Sequence, residues 1–560
     1  MKNKIGAMIY ALFIIFFILV FTSRFDQDSW FLLNSGRFVE QWGIPHIEPF
    51  TIHHDFHFVM HQWLFALGLW KLYKLGGMPV LMVYAWFMSG LFLWMFYKIL
   101  KLQISTFTLS VRVFLLFWLF LLCQGYMSQR PQTVSGLIFL LEIYFLEKYA
   151  SQTQMPRLMI PLFFLLSVLL VNFHGAMWPM FAVFLLPYTF EAIVGPHLSF
   201  GKCELAWKTK DFLFLFAAVL TGGFCGPYGI ESMTYAFKSY GYTDINLIVG
   251  EMHPLSLNFA SPYQTIFLLV LFACAICYGR NSLPFRHQLL ALGTGFMTLQ
   301  ANRSGLLFLL AGMFPLAKII AKASFKQNHV PYSWSHAHRM IFLMLAGSIV
   351  VIIILFSKTP IPVNRMILFY GAFIILGSLS AYSFKILWEN RQRAEKLRIY
   401  IWQTFAFLGL TILFSYTIAV HRIIQVDLPL KKSVNIIQKD SAGTPICLWT
   451  GYNDGPYAEF QGIPCYLDTR AEVFKPKLNH KKDVMLEYCS LLYNQLDYRD
   501  FVTRYPFTHF LTTDLDPLYV NLKNDPRFEL LWDSEEDDEI QEKATEVEKK
   551  KKVRVYKWRH

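Results

Sequence analysis

The densest run of chemically useful side chains follows the first apolar segment: RFDQDSWFLLNSGRFVEQWGIPHIEPFTIHHDFHFVMHQWL, residues 24–64. It holds Asp26, Asp28, Glu48 and Asp55 together with His46, His53, His54, His57 and His61. Carboxylates and imidazoles take protons from hydroxyls near neutral pH. The acid-x-acid pair Asp26/Asp28 is the first candidate for that role, with Asp28 preferred. Four later segments extend the set: GYMSQRPQ with Arg130, NFHG with Asn172 and His174, VGEMHP with Glu251 and His253, and QANRS with Arg303. A guanidinium grips a phosphate oxyanion as a two-pronged fork. Arg130, Arg303 and His174 are members of the set that could carry positive charge. Each residue also has a plainer reading: Asp26 as a helix cap, Arg and His as helix-end anchors that snorkel to an interface.

Sequence also says what must position these groups. Of the 560 residues, 55% are hydrophobic, and mean hydropathy reaches +0.38 although a polar C-terminal segment dilutes it. Aromatic residues make up 17%, which suits lipid-facing helices and interfacial belts. Apolar runs predict spans near 5–22, 78–97, 104–123, 133–149, 158–172, 176–194, 211–225, 263–279, 287–300, 304–321, 339–357, 364–384 and 399–420. The N-terminal run, followed by Thr22-Ser23-Arg24, reads as a retained helix, not a cleaved signal. A partly embedded helix is also expected near Trp63–Tyr73, and Trp30, Phe31, Phe38 and Trp42 predict a helix lying on the membrane surface.

Lys and Arg decide the orientation. Lys98, Lys101, Lys148, Arg157, Lys202, Lys208, Lys210, Arg280, Arg286, Lys318, Lys322, Lys326, Arg339, Lys385, Arg391, Arg393, Lys396 and Arg398 all fall on the N-terminal side. The positive-inside rule then puts that side in the cytoplasm. It also accounts for much of the net charge of +13 without nucleic acid. The candidate residues share the opposite face, where ionisable groups usually line a site or water-filled cavity.

Residues 1–420 thus form an α-helical polytopic membrane domain of about thirteen spans, with a first extracytoplasmic loop at about 23–62. Residues 421–560 form an extracytoplasmic soluble α/β domain. Pro445–Trp449, Pro464–Leu467 and His509–Thr512 predict strands, and Lys482–Tyr493 a helix. The charged run at about 533–552 reads as a solvated, partly disordered hairpin insertion, with polybasic lipid binding as the sharper alternative. A Cys447–Cys465 disulfide is permitted, and no cysteine spacing fits a metal site.

The first loop resembles that of the GT-C-fold glycosyltransferases, and most closely a large group of bacterial multi-spanning proteins of that superfamily. The resemblance rests on Asp26-Gln27-Asp28-Ser29-Trp30, Gly36, Ile44-Pro45, Glu48-Pro49-Phe50 and His61-Gln62-Trp63-Leu64. Later elements add to it: Arg130-Pro131, Asn172-Phe173-His174-Gly175, Glu251-Met252-His253-Pro254 and Leu467-Asp468-Thr469-Arg470-Ala471. Two positions depart from the pattern, Gln62 where Glu is usual and Thr469 where Gly is usual.

The resemblance implies an integral enzyme of the bacterial plasma membrane. It would transfer a sugar from a polyprenyl-phosphate donor, not from a nucleotide sugar, which is cytoplasmic, to a cell-envelope glycan, lipid or protein on the extracytoplasmic side. Direct, inverting displacement needs a base, Asp28 or else Asp26. It also needs cations on the leaving phosphate: Arg130, Arg303 and His174, with His61, Glu251 and Arg470 binding substrate. A salt bridge with Asp468 is the structural alternative for Arg470. A divalent cation is left open, since no spacing demands one. The competing functions are a flippase or transporter of lipid-linked sugars, a polysaccharide polymerase or ligase, and a non-enzymatic scaffold. No inverted repeat of the transporter kind is evident.

Overall fold

The computed structural model describes residues 25, 27–103, 123, 126–195, 204–239, 241–254, 283–312, 427–544 and 551–559. Asp26 and the expected spans at 5–22, 263–279, 339–357, 364–384 and 399–420 lie outside these residues, as do most of 104–123 and the part of 304–321 beyond 312.

The first half of the chain is helical: α1 (Gln27–Trp42), α2 (Trp63–Gln103), α3 (Gln132–Tyr149), α4 (Met159–His174), α5 (Trp178–Val194), α6 (Thr209–Gly223), α7 (Ile230–Ser239), α8 (Thr243–Ile248) and α9 (Phe285–Gln300). Among the described residues, Trp63–Leu102 and Met159–Val194 are long and apolar enough to cross a membrane. The second of these stretches contains α4 and α5 joined by the short turn Gly175–Met177. α2 is broken at Gly76-Gly77, where Gly77 takes φ 67°, a conformation open to a residue without Cβ. The break separates the short helix expected near 63–73 from the span expected from 78.

Several large apolar side chains point outward: Leu213 and Phe214 on α6, Ile193 on α5, and Leu292 and Phe296 on α9. In water such surfaces would be an aggregation liability; against lipid tails they are an ordinary exterior. Helices apolar on nearly all sides are the expected consequence.

The helices have two chemically distinct ends. α3 has 18 residues, hence about 27 Å at 1.5 Å per residue, close to the ~30 Å hydrocarbon thickness. Arg130 precedes its start, His174 closes α4, and Arg303 follows α9. The far ends of α3 and α5 meet the start of α9 in a buried ionic cluster that no sequence motif marks. There Arg286 Nε lies 2.8 Å from Glu147 and Nη1 2.8 Å from Glu191, and His287 Nε2 lies 2.8 Å from Glu147.

The C-terminal segment is α/β. After α10 (Leu428–Ser441) come β1 (Leu448–Thr450), α11 (Gly455–Phe460), α12 (Val484–Leu492), β2 (His509–Thr513), β3 (Phe528–Asp533) and β4 (Val553–Trp558). The sheet order is β1-β2-β4-β3, with β1/β2 parallel and the other pairs antiparallel. Pro464–Leu467 is not a full strand. Cys465 forms isolated bridges to Leu448 and to Thr51 of the first loop, so the loop extends the sheet. Cys447 and Cys465 are free thiols, not a disulfide.

The charged connection between β3 and β4 is more ordered than expected. Residues 538–543 are helical, and Lys432 binds Asp537 at 2.6 Å and Glu539 at 2.7 Å. Of the basic run, Lys551 pairs with Asp454 and Asp427, and Lys552 with Glu535. Residues 545–550 lie outside the described residues.

Candidate active site

α1 sets the first acid. Its register places Asp28 in the first turn and Phe31, one turn on, toward the interior. α1 crosses α2 so closely that a Cβ on Gly36 would sit 2.0 Å from the Ala66 carbonyl oxygen, which explains that glycine. Trp30 and Phe31 are buried, and Trp30 packs on Tyr457 and Phe460 of α11 at 5.1 and 5.0 Å between ring centroids. Phe38 meets Phe50 edge to face. Of the four aromatics expected to rest on the membrane surface, only Trp42 is largely exposed. The C-terminal domain covers the helix because these rings bury more apolar area against protein than an interface offers.

The Glu-Pro-Phe turn and the Asp-Thr-Arg segment explain one another. Glu48 accepts hydrogen bonds from the backbone N–H of Phe50 (3.1 Å) and Thr51 (2.9 Å), from the Thr51 hydroxyl (2.7 Å), and from Arg470 Nη2 (2.8 Å). Arg470 also donates from Nε to Asp468 at 2.8 Å and from Nη2 to the same carboxylate, with Glu459 at 3.8 Å. Its guanidinium lies over the rings of Phe31, Phe50 and Phe58. The salt-bridge reading of Arg470 describes most of this geometry: the side chain clasps the first loop to the C-terminal domain.

The histidines of the loop divide by role. His53 stacks on Phe56, and its Nε2 donates to the Tyr466 carbonyl at 2.8 Å; burial, with Lys482 nearby, lowers its pKa to about 3. His57 stacks on His480 and lies 3.3 Å from Glu231. His46 packs against Tyr228. His61 lines a cleft. Burial, with Arg303 nearby, lowers its pKa to about 4, so it is neutral.

The later motifs converge on the same place. Asn172 accepts from Trp63 Nε1 at 3.0 Å, and Gly175 N–H donates to the His61 carbonyl at 2.6 Å. His174 Nδ1 lies 3.1 Å from the Ser135 hydroxyl, and its ring stacks with His61 at 5.9 Å. Arg130 Nη2 lies 2.9 Å from Asp28, and Nη1 lies 3.9 Å from Glu251. Asn302 N–H donates to the His253 carbonyl at 3.0 Å, which ties the Glu251 segment to the one bearing Arg303. Asp28, Arg130 and Glu251 thus form one charged chain, with His61, His174 and Arg303 beside it.

Three further residues belong to this region that sequence reading missed. Tyr235 of α7 packs on His61 at 4.3 Å between centroids and its hydroxyl donates to Glu472 at 3.4 Å. Burial raises the Glu472 carboxyl above its ordinary range, against the pull of Arg303. Tyr452, from the GYNDGPY segment, donates to the Thr469 carbonyl at 2.7 Å. Burial, then the charges of Asp28, Glu472, Asp468 and Glu251, push its phenol upward. A small cleft, with little more room than a water needs, is lined by Phe31, Phe58, His61, Tyr235, Arg470 and Glu472, among others. Among the described residues, no group of three or more His, Cys, Asp or Glu side chains could hold a metal ion.

No family model matches the chain, and no curated protein matches it. Among solved structures it is similar to ArnT from Cupriavidus metallidurans bound to undecaprenyl phosphate, a GT-C glycosyltransferase. The TM-score is 0.50 at 12% identity, over 99% of this chain and 98% of that one. This likeness, extending over nearly the whole of both chains, shows that the chain has the GT-C fold.

Proposed function

We propose that the protein is an integral-membrane glycosyltransferase. It moves a sugar from a polyprenyl-phosphate donor to a hydroxyl of a cell-envelope acceptor on the extracytoplasmic side. The observation that carries this reading is the Asp28–Arg130–Glu251 chain at one end of the helices, 2.9 and 3.9 Å between partners. It sits in a fold shared with a protein crystallised with undecaprenyl phosphate. Contacts between the first loop and the C-terminal domain support a common face for both. The ionic cluster around Arg286 at the opposite helix ends agrees with the basic residues counted to the inner side.

In this reading Arg130 is held in reserve by two carboxylates. A donor phosphate draws Arg130 away, with Arg303 and His174 completing the anion site. Asp28 is then free to take the proton of the acceptor hydroxyl. The hydroxyl oxygen bonds to the anomeric carbon as the carbon–oxygen bond to phosphate breaks, with inversion. The phosphate leaves with the electron pair and is stabilised by guanidinium groups already in place. The transition state resembles an oxocarbenium ion, which a nearby carboxylate favours. Glu251 positions the hydroxyl. Arg470 acts through the loop it clasps.

The test is transfer of labelled sugar by the purified protein in proteoliposomes, with Asp28→Asn as the comparison. Removing a positioned base should cost about 10²–10⁴-fold in rate while membrane insertion and melting temperature persist. Wild-type transfer by Asp28→Asn would remove the assigned base. Movement of the lipid across the bilayer without transfer would replace the enzyme by a flippase.

A further inference from the structure

α2 is longer than a membrane crossing needs. Its 41 residues reach about 61 Å at 1.5 Å per residue, about twice the hydrocarbon thickness of a bilayer. Lys98 and Lys101 stand near its inner end. Counting back from Lys98 by the roughly 20 residues of one crossing reaches Met78, beside the break at Gly76-Gly77. The part before the break therefore lies at the outer boundary between membrane and water. One face of it, with Phe65, Ala66 and Leu69, is buried.

The opposite face is basic, and the displacement mechanism does not use it. Lys71 and Lys74 have side chains 55% and 45% exposed. Lysines on this side run against the positive-inside rule that orients the rest of the chain. Holding α1 to α2 does not require two of them. Both bind the same oxygen of Glu40, Oε1, with Lys74 at 2.6 Å, while Oε2 accepts from Trp70 Nε1 at 2.6 Å. Each ammonium carries three N–H donors, so most of these donors face outward. Two ammonium groups against one carboxylate also leave one net positive charge. Leu75, one turn from Lys71, and Trp42, two residues beyond Glu40 at the end of α1, are each 77% exposed. Ammonium groups beside an indole and an aliphatic side chain make a surface suited to the headgroup layer of a bilayer.

We infer that the exposed face of α2 from Lys71 to Leu75, with Trp42, is a docking surface for anionic phospholipid of the outer leaflet. The headgroup phosphate takes the outward N–H donors of Lys71 and Lys74, and the acyl chains lie along Leu75 and the span that follows. Glu40 competes with the headgroup for the same two ammonium groups and so limits the affinity. The occupant is phospholipid of the surrounding bilayer, not the sugar donor, whose phosphate the mechanism assigns to Arg130 and Arg303. The inference uses the same orientation of the chain but does not depend on the transfer reaction.

The experiment places the full-length protein in nanodiscs of phosphatidylcholine with a rising share of phosphatidylglycerol. Native mass spectrometry then reads which phospholipids stay bound on release. Wild type should retain phosphatidylglycerol in preference to phosphatidylcholine. The double variant Lys71→Gln/Lys74→Gln should lose that preference, by about fivefold per lysine. Glu40→Gln, which frees both ammonium groups, should strengthen it. Lys71→Arg/Lys74→Arg keeps the charge and should keep the preference, which separates lost binding from lost folding. The inference is overturned if wild type retains the two lipids equally, or if the double glutamine variant keeps the full preference. It also falls if Glu40→Gln leaves the preference unchanged or weaker. Displacement of phosphatidylglycerol by a single equivalent of undecaprenyl phosphate would give the lysines to the sugar donor and overturn it too. Sugar transfer is not read in any of these measurements, so their failure leaves the glycosyltransferase reading standing.

Discussion

Arg130 is the residue on which the charged chain turns. Its two nitrogens face Asp28 and Glu251, and a fork of this kind is not reproduced by lysine or an amide. Arg130→Gln should lower kcat by about 10²–10³, the loss seen when one preorganised donor to a developing anion is removed. Single-turnover transfer assays would report it, and an unchanged kcat would mean that another group carries the phosphate. Asp28, Arg130 and Glu251 were legible in the sequence because an acid or guanidinium at the end of an apolar helix is costly enough to need a reason. Glu472, Tyr235 and Tyr452 were not. Each lies in an unremarkable amphipathic stretch, and only packing between segments far apart in sequence brings them to the cleft. Glu48 was legible as a motif residue but not in its role, which depends on a partner 422 residues away.

At the scale of elements, the clasp between the loop and the C-terminal domain decides whether the site exists. Among the described residues, Arg470 is the cation bound to both Glu48 and Asp468. Removing one member of a buried pair costs about 3–5 kcal/mol because the remaining charge stays buried. Arg470→Met should therefore destabilise by about that amount and expose residues 43–62 to limited proteolysis. Adding Glu48→Gln should recover part of the loss, since contacting residues are not additive. Full additivity of the two changes would argue against the clasp. Lys475 reinforces the same joint by binding Asp244 and Asp483, each at 2.6 Å, and so ties the segment leading to Glu251 to the domain. Helix positions α2 to α6 followed from hydropathy and length. The β1-β2-β4-β3 order did not, because strand pairing is a long-range choice. Nor did the bridge from Thr51 to Cys465, which no local pattern encodes.

For the molecule as a whole, the joint between membrane and soluble parts has a pH signature. His53 is buried, donates to the Tyr466 carbonyl and stays neutral, with its pKa lowered to about 3 from an ordinary 6.5. Its neighbours include Lys482 and His54, which disfavour its protonation further. Between these two values the unfolded chain binds a proton that the folded protein does not. The contribution of His53 is therefore complete above about pH 6.5. It falls by about 1.4 kcal/mol per pH unit on acidification, and the fall ends near pH 3. His61, lowered to about 4, acts with the same sign, whereas the raised carboxyl of Glu472 acts with the opposite one. The comparison of wild type with His53→Gln isolates one group: the amide can still donate to Tyr466 but does not titrate in this range. Denaturation midpoints of the detergent-solubilised protein between pH 7.5 and 4.5 should fall more steeply for wild type, by the equivalent of about one proton. Parallel slopes for the two proteins would mean that His53 is already protonated, or exposed, when the domain is docked.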